Sequence, residues 1–190
     1  MKALSLIALI FLGGCAFTPM EVQLAPNTAV SASDIGHGHT VYLTVFDERA
    51  STSVGNRGSA YMKGAQITLA DDLSAVVQSA VSEMLTVKGF QMAYQQPEIP
   101  HAALRLDIRG LSYETSTGFW TGGVEVTAAL KATAQNAVEN YENFYRYDNE
   151  DRVVVVPGAE ANSERINAAL DSVLQQLMAD RKLVEVLAKR

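Results

Sequence analysis

Cysteine is almost absent: Cys15 is the only one in 190 residues. No disulfide can form within the chain, and a zinc site built on cysteines is excluded. Histidine is scarce too, limited to His37, His39 and His101. A catalytic zinc site needs three protein ligands, so the His37-Gly38-His39 spacing reads as solvated linker. Basic charge is in deficit, with 15 Lys+Arg against 21 Asp+Glu and a net charge of −6. That balance argues against nucleic acid, whose phosphates call for a basic patch. No P-loop, Gly-x-Ser-x-Gly elbow or Ser-x-x-Lys motif occurs, so no familiar phosphate-binding or hydrolase signature is present. No catalytic residue or cofactor is expected. Long apolar runs are missing as well: the best, 3–12, is about half of the roughly 20 residues that span a bilayer.

What is there begins at the N-terminus. Lys2 gives a positive start, residues 3–12 are apolar except for Ser5, and Leu12-Gly13-Gly14-Cys15 follows. A charged start, a short apolar stretch and small residues at the cut make a secretory signal, removed from the mature chain. With cysteine just after the cut, the pattern looks like a bacterial lipobox. Residues 1–14 are then lost, and Cys15 carries lipid at the mature N-terminus. One acyl chain holds a protein only marginally, but several together make a stable anchor. The residue after the cysteine is Ala16 rather than aspartate. In bacterial lipoproteins that choice favours the outer membrane, facing the periplasm.

Residues 15–39 read as the lipidated cysteine and a flexible tether, rich in Pro, Ser, Ala and Gly without a clear period. Fully extended, such a segment reaches on the order of 75–85 Å. One globular domain follows over 40–190. Hydrophobic residues make up 48% of the chain, enough for a packed core rather than disorder.

Within the domain, Thr40 opens a strand of apolar residues on both faces, ended by Asp47-Glu48-Arg49. Residues 50–66 are rich in Ser, Gly and Asn and read as a long loop. A helix over 70–88 has its apolar stripe at Leu73, Val76, Val77, Ala80, Val81, Met84 and Leu85. Thr68 and Asp71 resemble a capping box at its start, and Lys88-Gly89-Phe90 a stop. A short strand over 90–94 follows. Residues 103–109 alternate Leu104, Leu106 and Ile108 with Arg105, Asp107 and Arg109, a strand with one wet face. Residues 114–123 read as a connection, 124–133 as a second long strand, and Tyr141, Asn143, Tyr145 and Tyr147 as a third. Residues 153–156 fit either a short strand or a buried loop. A helix over 163–189, capped by Asn162 or Ser163, closes the chain. This β-α-β-β-β-β-α order predicts an α+β fold. The expected sheet is antiparallel, with four to five strands and two amphipathic helices on one face. An open sheet leaves an edge strand, which could pair with a second copy as a homodimer.

Two patches stand out as candidate interaction sites. Asp47 and Arg49 end the first strand and Arg57 follows in the loop. They suit either an anion or acid–base site or a carboxylate–guanidinium brace. Phe119 and Trp120 lie between Gly118 and Gly122-Gly123. They suit either a binding anchor or a lid on the domain's own core.

The order of these features carries a resemblance: the lipobox, a strand ending Asp47-x-Arg49, Gly55-x-Arg57, the helix stop Lys88-Gly89-Phe90, and Ala132-Thr133-Ala134-Gln135-Asn136 before the C-terminal helix. Across nearly its whole length the chain resembles the YajG family of bacterial lipoproteins. The resemblance implies a small periplasm-facing lipoprotein of uncharacterised activity. It brings no catalytic residues, and marks Asp47, Arg49, Gly55 and Arg57 as the candidate patch. The expected function is a non-enzymatic accessory module that binds an envelope partner. The alternative is a binder of a small ligand, such as a cell-wall fragment or lipid.

Overall fold

A computed structural model describes residues 18–57, 65–95, 101–117, 122–153 and 157–189. Its centre is a three-strand meander: β6 (Ala102–Thr117), β7 (Gly122–Asn136) and β8 (Asn140–Val153). Short links join these strands, and they pair antiparallel as expected. The strands run further than the sequence pattern suggested. Most of the expected 114–123 connection is strand, with Thr115 facing Val124 and Thr117 facing Gly122.

The rest of the sheet corrects the antiparallel expectation. β2 (Thr40–Asp47) lies parallel to β6, with Val41 opposite Ala102 and Asp47 opposite Ile108. The reason is α1 (Leu73–Val87), which separates the two strands in sequence. A strand that returns through a helix comes back parallel. β5 (Gln91–Ala93) adds to the outer side of β2, also parallel. Beyond Ile108 the same edge of β6 passes to β3 (Gly55–Arg57), which meets it at Tyr113. The register of β6 against β7 shifts between Ile108 and Gly110, where one strand hands over to the other. β4 (Ala65–Leu69) pairs antiparallel with β3, and β1 (Met20–Val22) pairs parallel with β4. Among the described residues the sheet therefore has eight strands and is mixed, not four to five and antiparallel. The expected 50–66 loop contains β3 and enters β4.

The tether expectation is corrected as well. Val22 is fully buried, and Met20 and Leu24 nearly so. Asn167 and Asp171 accept hydrogen bonds from the backbone N–H groups of Ala25 (2.8 Å) and Asn27 (2.7 Å). Further on, the N–H groups of Ser33, Gly36 and Gly38 donate to the carbonyls of Val87, Lys88 and Gly89. The segment satisfies its polar backbone on the domain, so a patternless sequence here means a strap rather than a loose chain.

Asp72, not Thr68 or Asp71, caps α1, accepting from the N–H of Ala75 at 2.8 Å. The expected stop holds: Gly89 has φ +86°, and the N–H of Phe90 reaches back to the carbonyl of Leu85. The C-terminal helix starts earlier than expected and is broken in two, α2 (Ala159–Ala179) and α3 (Arg181–Ala188). Asp180 makes the break. Its Oδ1 accepts from the N–H groups of Lys182 and Leu183, capping α3. Its Oδ2 accepts from Tyr141 (3.0 Å), Asn143 (2.9 Å) and Tyr145 (2.7 Å) on β8.

The core forms one cluster between the helices and one face of the sheet. Leu104, Leu106 and Ile108 of β6 and Val124 to Ala134 of β7 face inward at alternate positions. Ala128, Ala132 and Ala134 of β7 are buried, as are Ile166, Leu170, Val173, Leu174 and Leu177 of α2, and both α2 and α3 pack against that strand. No helix among the described residues is long and apolar enough to cross a membrane.

Candidate functional site

Asp47 and Arg49 form a brace at the end of β2. The Arg49 guanidinium donates to both carboxylate oxygens, at 2.8 and 2.7 Å, and its N–H adds a third bond at 3.2 Å. The arginine side chain is only 6% exposed. Hydrogen bonding from Arg49 holds the Asp47 carboxyl below its usual range, against the opposing effect of burial. An ionised carboxylate locked to arginine is poorly suited to proton transfer. Two positions beyond Gly55, Arg57 is buried. Its Nε has no hydrogen-bond partner among the described residues. Nearby, the Tyr113 hydroxyl donates to Oδ1 of Asn162 at 2.8 Å, both side chains being buried. Gly55 sits where backbone meets backbone: a Cβ there would stand 1.8 Å from the Tyr113 carbonyl oxygen.

A pH dependence follows. Burial works to raise the Asp180 carboxyl. Hydrogen bonds from Tyr145, Asn143, Leu183 N–H and Tyr141 outweigh it, and the net shift is downward. Asp47 is shifted the same way. Carboxyls lowered in the folded state stabilise it above the ordinary carboxylate range and lose that contribution as pH falls through the folded-state value. Urea unfolding should therefore show similar stability at pH 7 and 5 and a clear drop below about pH 4, near the unperturbed Asp value. In Asp47→Ala that drop should be smaller; an identical acid limb in the variant would contradict the assignment.

The outer face of the sheet carries a second feature, of which the alternation of Arg105, Asp107 and Arg109 was the only sequence sign. Arg105 bonds Asp107 (2.7 Å) and Glu48 (2.8 Å), and Arg109 bonds Glu48 (2.8 Å). Along one cross-strand row lie Phe46, Asp107, Lys131 and Phe144. The two aromatics flank the ionic lattice and are exposed, Phe46 to 43% and Phe144 to 62%. Arg105 covers the Phe46 ring at 4.4 Å and Lys131 approaches Phe144 at 5.6 Å.

A third feature exists because residues 29–37 lie against the helices. Between residues 29–37 and the end of α2 and α3 runs a groove of three adjoining depressions, about 490, 190 and 410 Å³. Met178, Ala179 and Ile35 line its apolar parts, and Lys88, Glu139 and Lys182 its charged ones. Glu139 is held there by Lys182 and Lys189. Near this end His39 and His101 stack at 3.8 Å, with His37 edge-on to His39 at 6.2 Å. Even so, no group of three His, Cys, Asp or Glu among the described residues could hold a metal ion. Cys15, Phe119 and Trp120 lie outside the described residues.

Comparison with known proteins places the chain. Residues 26–188 match a family model described as an uncharacterized lipoprotein. The uncharacterized lipoprotein YajG of Escherichia coli K12 is 26% identical over 179 residues, covering 92% of this chain and 88% of the relative. A crystal structure of an uncharacterized protein has the same fold, with TM-score 0.52 and 9% identity over 85% of this chain and 97% of that one. A putative neuraminyllactose-binding hemagglutinin homolog from Helicobacter pylori is more distant, with TM-score 0.44 and 14% identity over 86% of this chain and 96% of that one. The match over most of its length shows that the chain belongs to this family of uncharacterized lipoproteins, as the order of its motifs suggested.

Proposed function

We propose that this protein is a non-enzymatic envelope module, held by lipid on Cys15 at the periplasmic face of the outer membrane, that binds another envelope protein. Membership of a lipoprotein family, together with Leu12-Gly13-Gly14-Cys15 and Ala16, supports the anchor and its location. The observation that carries partner binding is the row of Phe46 and Phe144 around the Arg105–Asp107 lattice. Exposed aromatics beside positioned charges are the usual anchors of protein interfaces.

Two experiments test the reading. Metabolic palmitate labelling should mark the wild type and leave Cys15→Ser unlabelled and released from membranes. Equal labelling of the two would remove the anchor. Photo-crosslinkers at Phe46 and Phe144 should give a discrete adduct in intact cells, lost when Arg105 is changed to Glu. No adduct at either position would contradict partner binding.

A second reading, binding of a cell-wall fragment or lipid, draws on the groove beside residues 29–37. Its largest depression, about 490 Å³, is of ligand-pocket size.

A further inference from the structure

We infer that the end of the sheet at which Met20 enters is turned to the bilayer and held close against it, with the groove facing away. The inference rests on lipid at Cys15, and the structure's strand directions supply the rest. β3 runs parallel to β6, β4 runs opposite to β3, and β1 runs parallel to β4. Met20 therefore starts at the end of the sheet where β6 finishes at Thr117, β7 begins at Gly122 and β8 finishes at Val153. The opposite end holds Asn136, Asn140 and Gln91, and Asp180 joins it there through Tyr141 and Asn143. The 15 residues of β7 separate the two ends by about 50 Å.

The leash is short. Cys15 precedes Thr18, the first described residue, by three positions. Three residues span at most about 11 Å. A free chain to residue 39 would let the domain turn any face to the membrane. With β1 in the sheet and residues 25–38 bonded to α2 and to the end of α1, that freedom is gone. The entry end must stay within a fraction of the molecule's length of the headgroups. Net charge of −6 gives the flanks no reason to lie down on an anionic surface. Lys88, Met178, Glu139 and Lys182, which line the groove, are then presented to the aqueous side.

The acylated chain has no other cysteine, so single thiols can be added and labelled. The lipidated protein, in vesicles containing headgroup-nitroxide lipids, would carry a fluorophore at one of four exposed positions. Asn56→Cys and Arg152→Cys mark the entry end, and Tyr94→Cys and Val138→Cys the far end. Vesicle flotation reads the anchor, and quenching reads the orientation. The expected result is flotation of all four, with quenching several-fold stronger at 56 and 152 than at 94 and 138. Ten Gly/Ser residues inserted after Ala16 should erase the difference. Flotation with equal quenching at all four sites, or stronger quenching at 138, would overturn the orientation. Failure to float would instead refute the anchor on which it rests.

Discussion

Asp180→Ala should destabilise the domain by about 3 kcal/mol, although Asp180 lies in no core cluster. The substitution removes the cap of α3, which costs about 1 kcal/mol. It also strands the Tyr145 hydroxyl, in a side chain 5% exposed, without the acceptor 2.7 Å away. A buried donor left without a partner costs about 1–3 kcal/mol. Tyr141 and Asn143 are less enclosed and recover part of their loss from water. For a domain of this size, about 3 kcal/mol lowers the melting temperature by roughly 6–12 °C. Asp180→Ala combined with Tyr145→Phe should recover part of the loss, because the stranded hydroxyl is removed too. Thermal unfolding of the two variants beside wild type checks this. A drop under about 2 °C for Asp180→Ala would show that β8 and α3 do not meet through this carboxylate.

Gly55→Ala should be at least as damaging, by about 3 kcal/mol or more. The new methyl would lie 1.8 Å from the backbone oxygen of Tyr113, and neither backbone can yield without breaking the junction. At that junction the N–H of Tyr113 donates to the carbonyl of Val54 at 2.7 Å, and Val54 is buried. Separating β3 from β6 would also expose Arg57 and loosen the β3–β4 pair that carries β1. Urea unfolding should show the loss. Amide exchange at Tyr113 should quicken by about two orders of magnitude, the equivalent of about 2.8 kcal/mol at 1.4 kcal/mol per tenfold. Exchange unchanged at Tyr113 would mean that Gly55 is not a packing requirement.

These residues show what was legible in the sequence. Strand β2, helix α1 with its glycine stop, and the β6-β7-β8 meander follow from local periodicity and turn residues, and the sequence pattern found them. Parallel pairing of β2 with β6 depends on where α1 returns the chain, which no local pattern records. The break at Asp180 is not legible in the sequence because the apolar stripe from Ile166 to Leu187 continues through it. Its cause is three side chains on a strand distant in sequence. Residues 25–38 lack a period because they are bonded to a helix end and to side chains of α2, not to a continuous ladder. In the candidate patch, Gly55 and Arg57 stood out by motif, but only the approach to Tyr113 explains the glycine. The Phe46–Phe144 row depends on register across four strands, so it could not be read from any one of them.

The short leash depends on residues 20–38 being part of the folded body, and amide hydrogen exchange on the lipidated protein measures that directly. The N–H groups of Ala25, Asn27, Ser33, Gly36 and Gly38 should exchange far more slowly than in an unstructured peptide, and Asn167→Ala with Asp171→Ala should release the first two. If these five and the amides of β1 all exchange at the rate of free chain, the domain hangs on a long tether and has no fixed face toward the membrane.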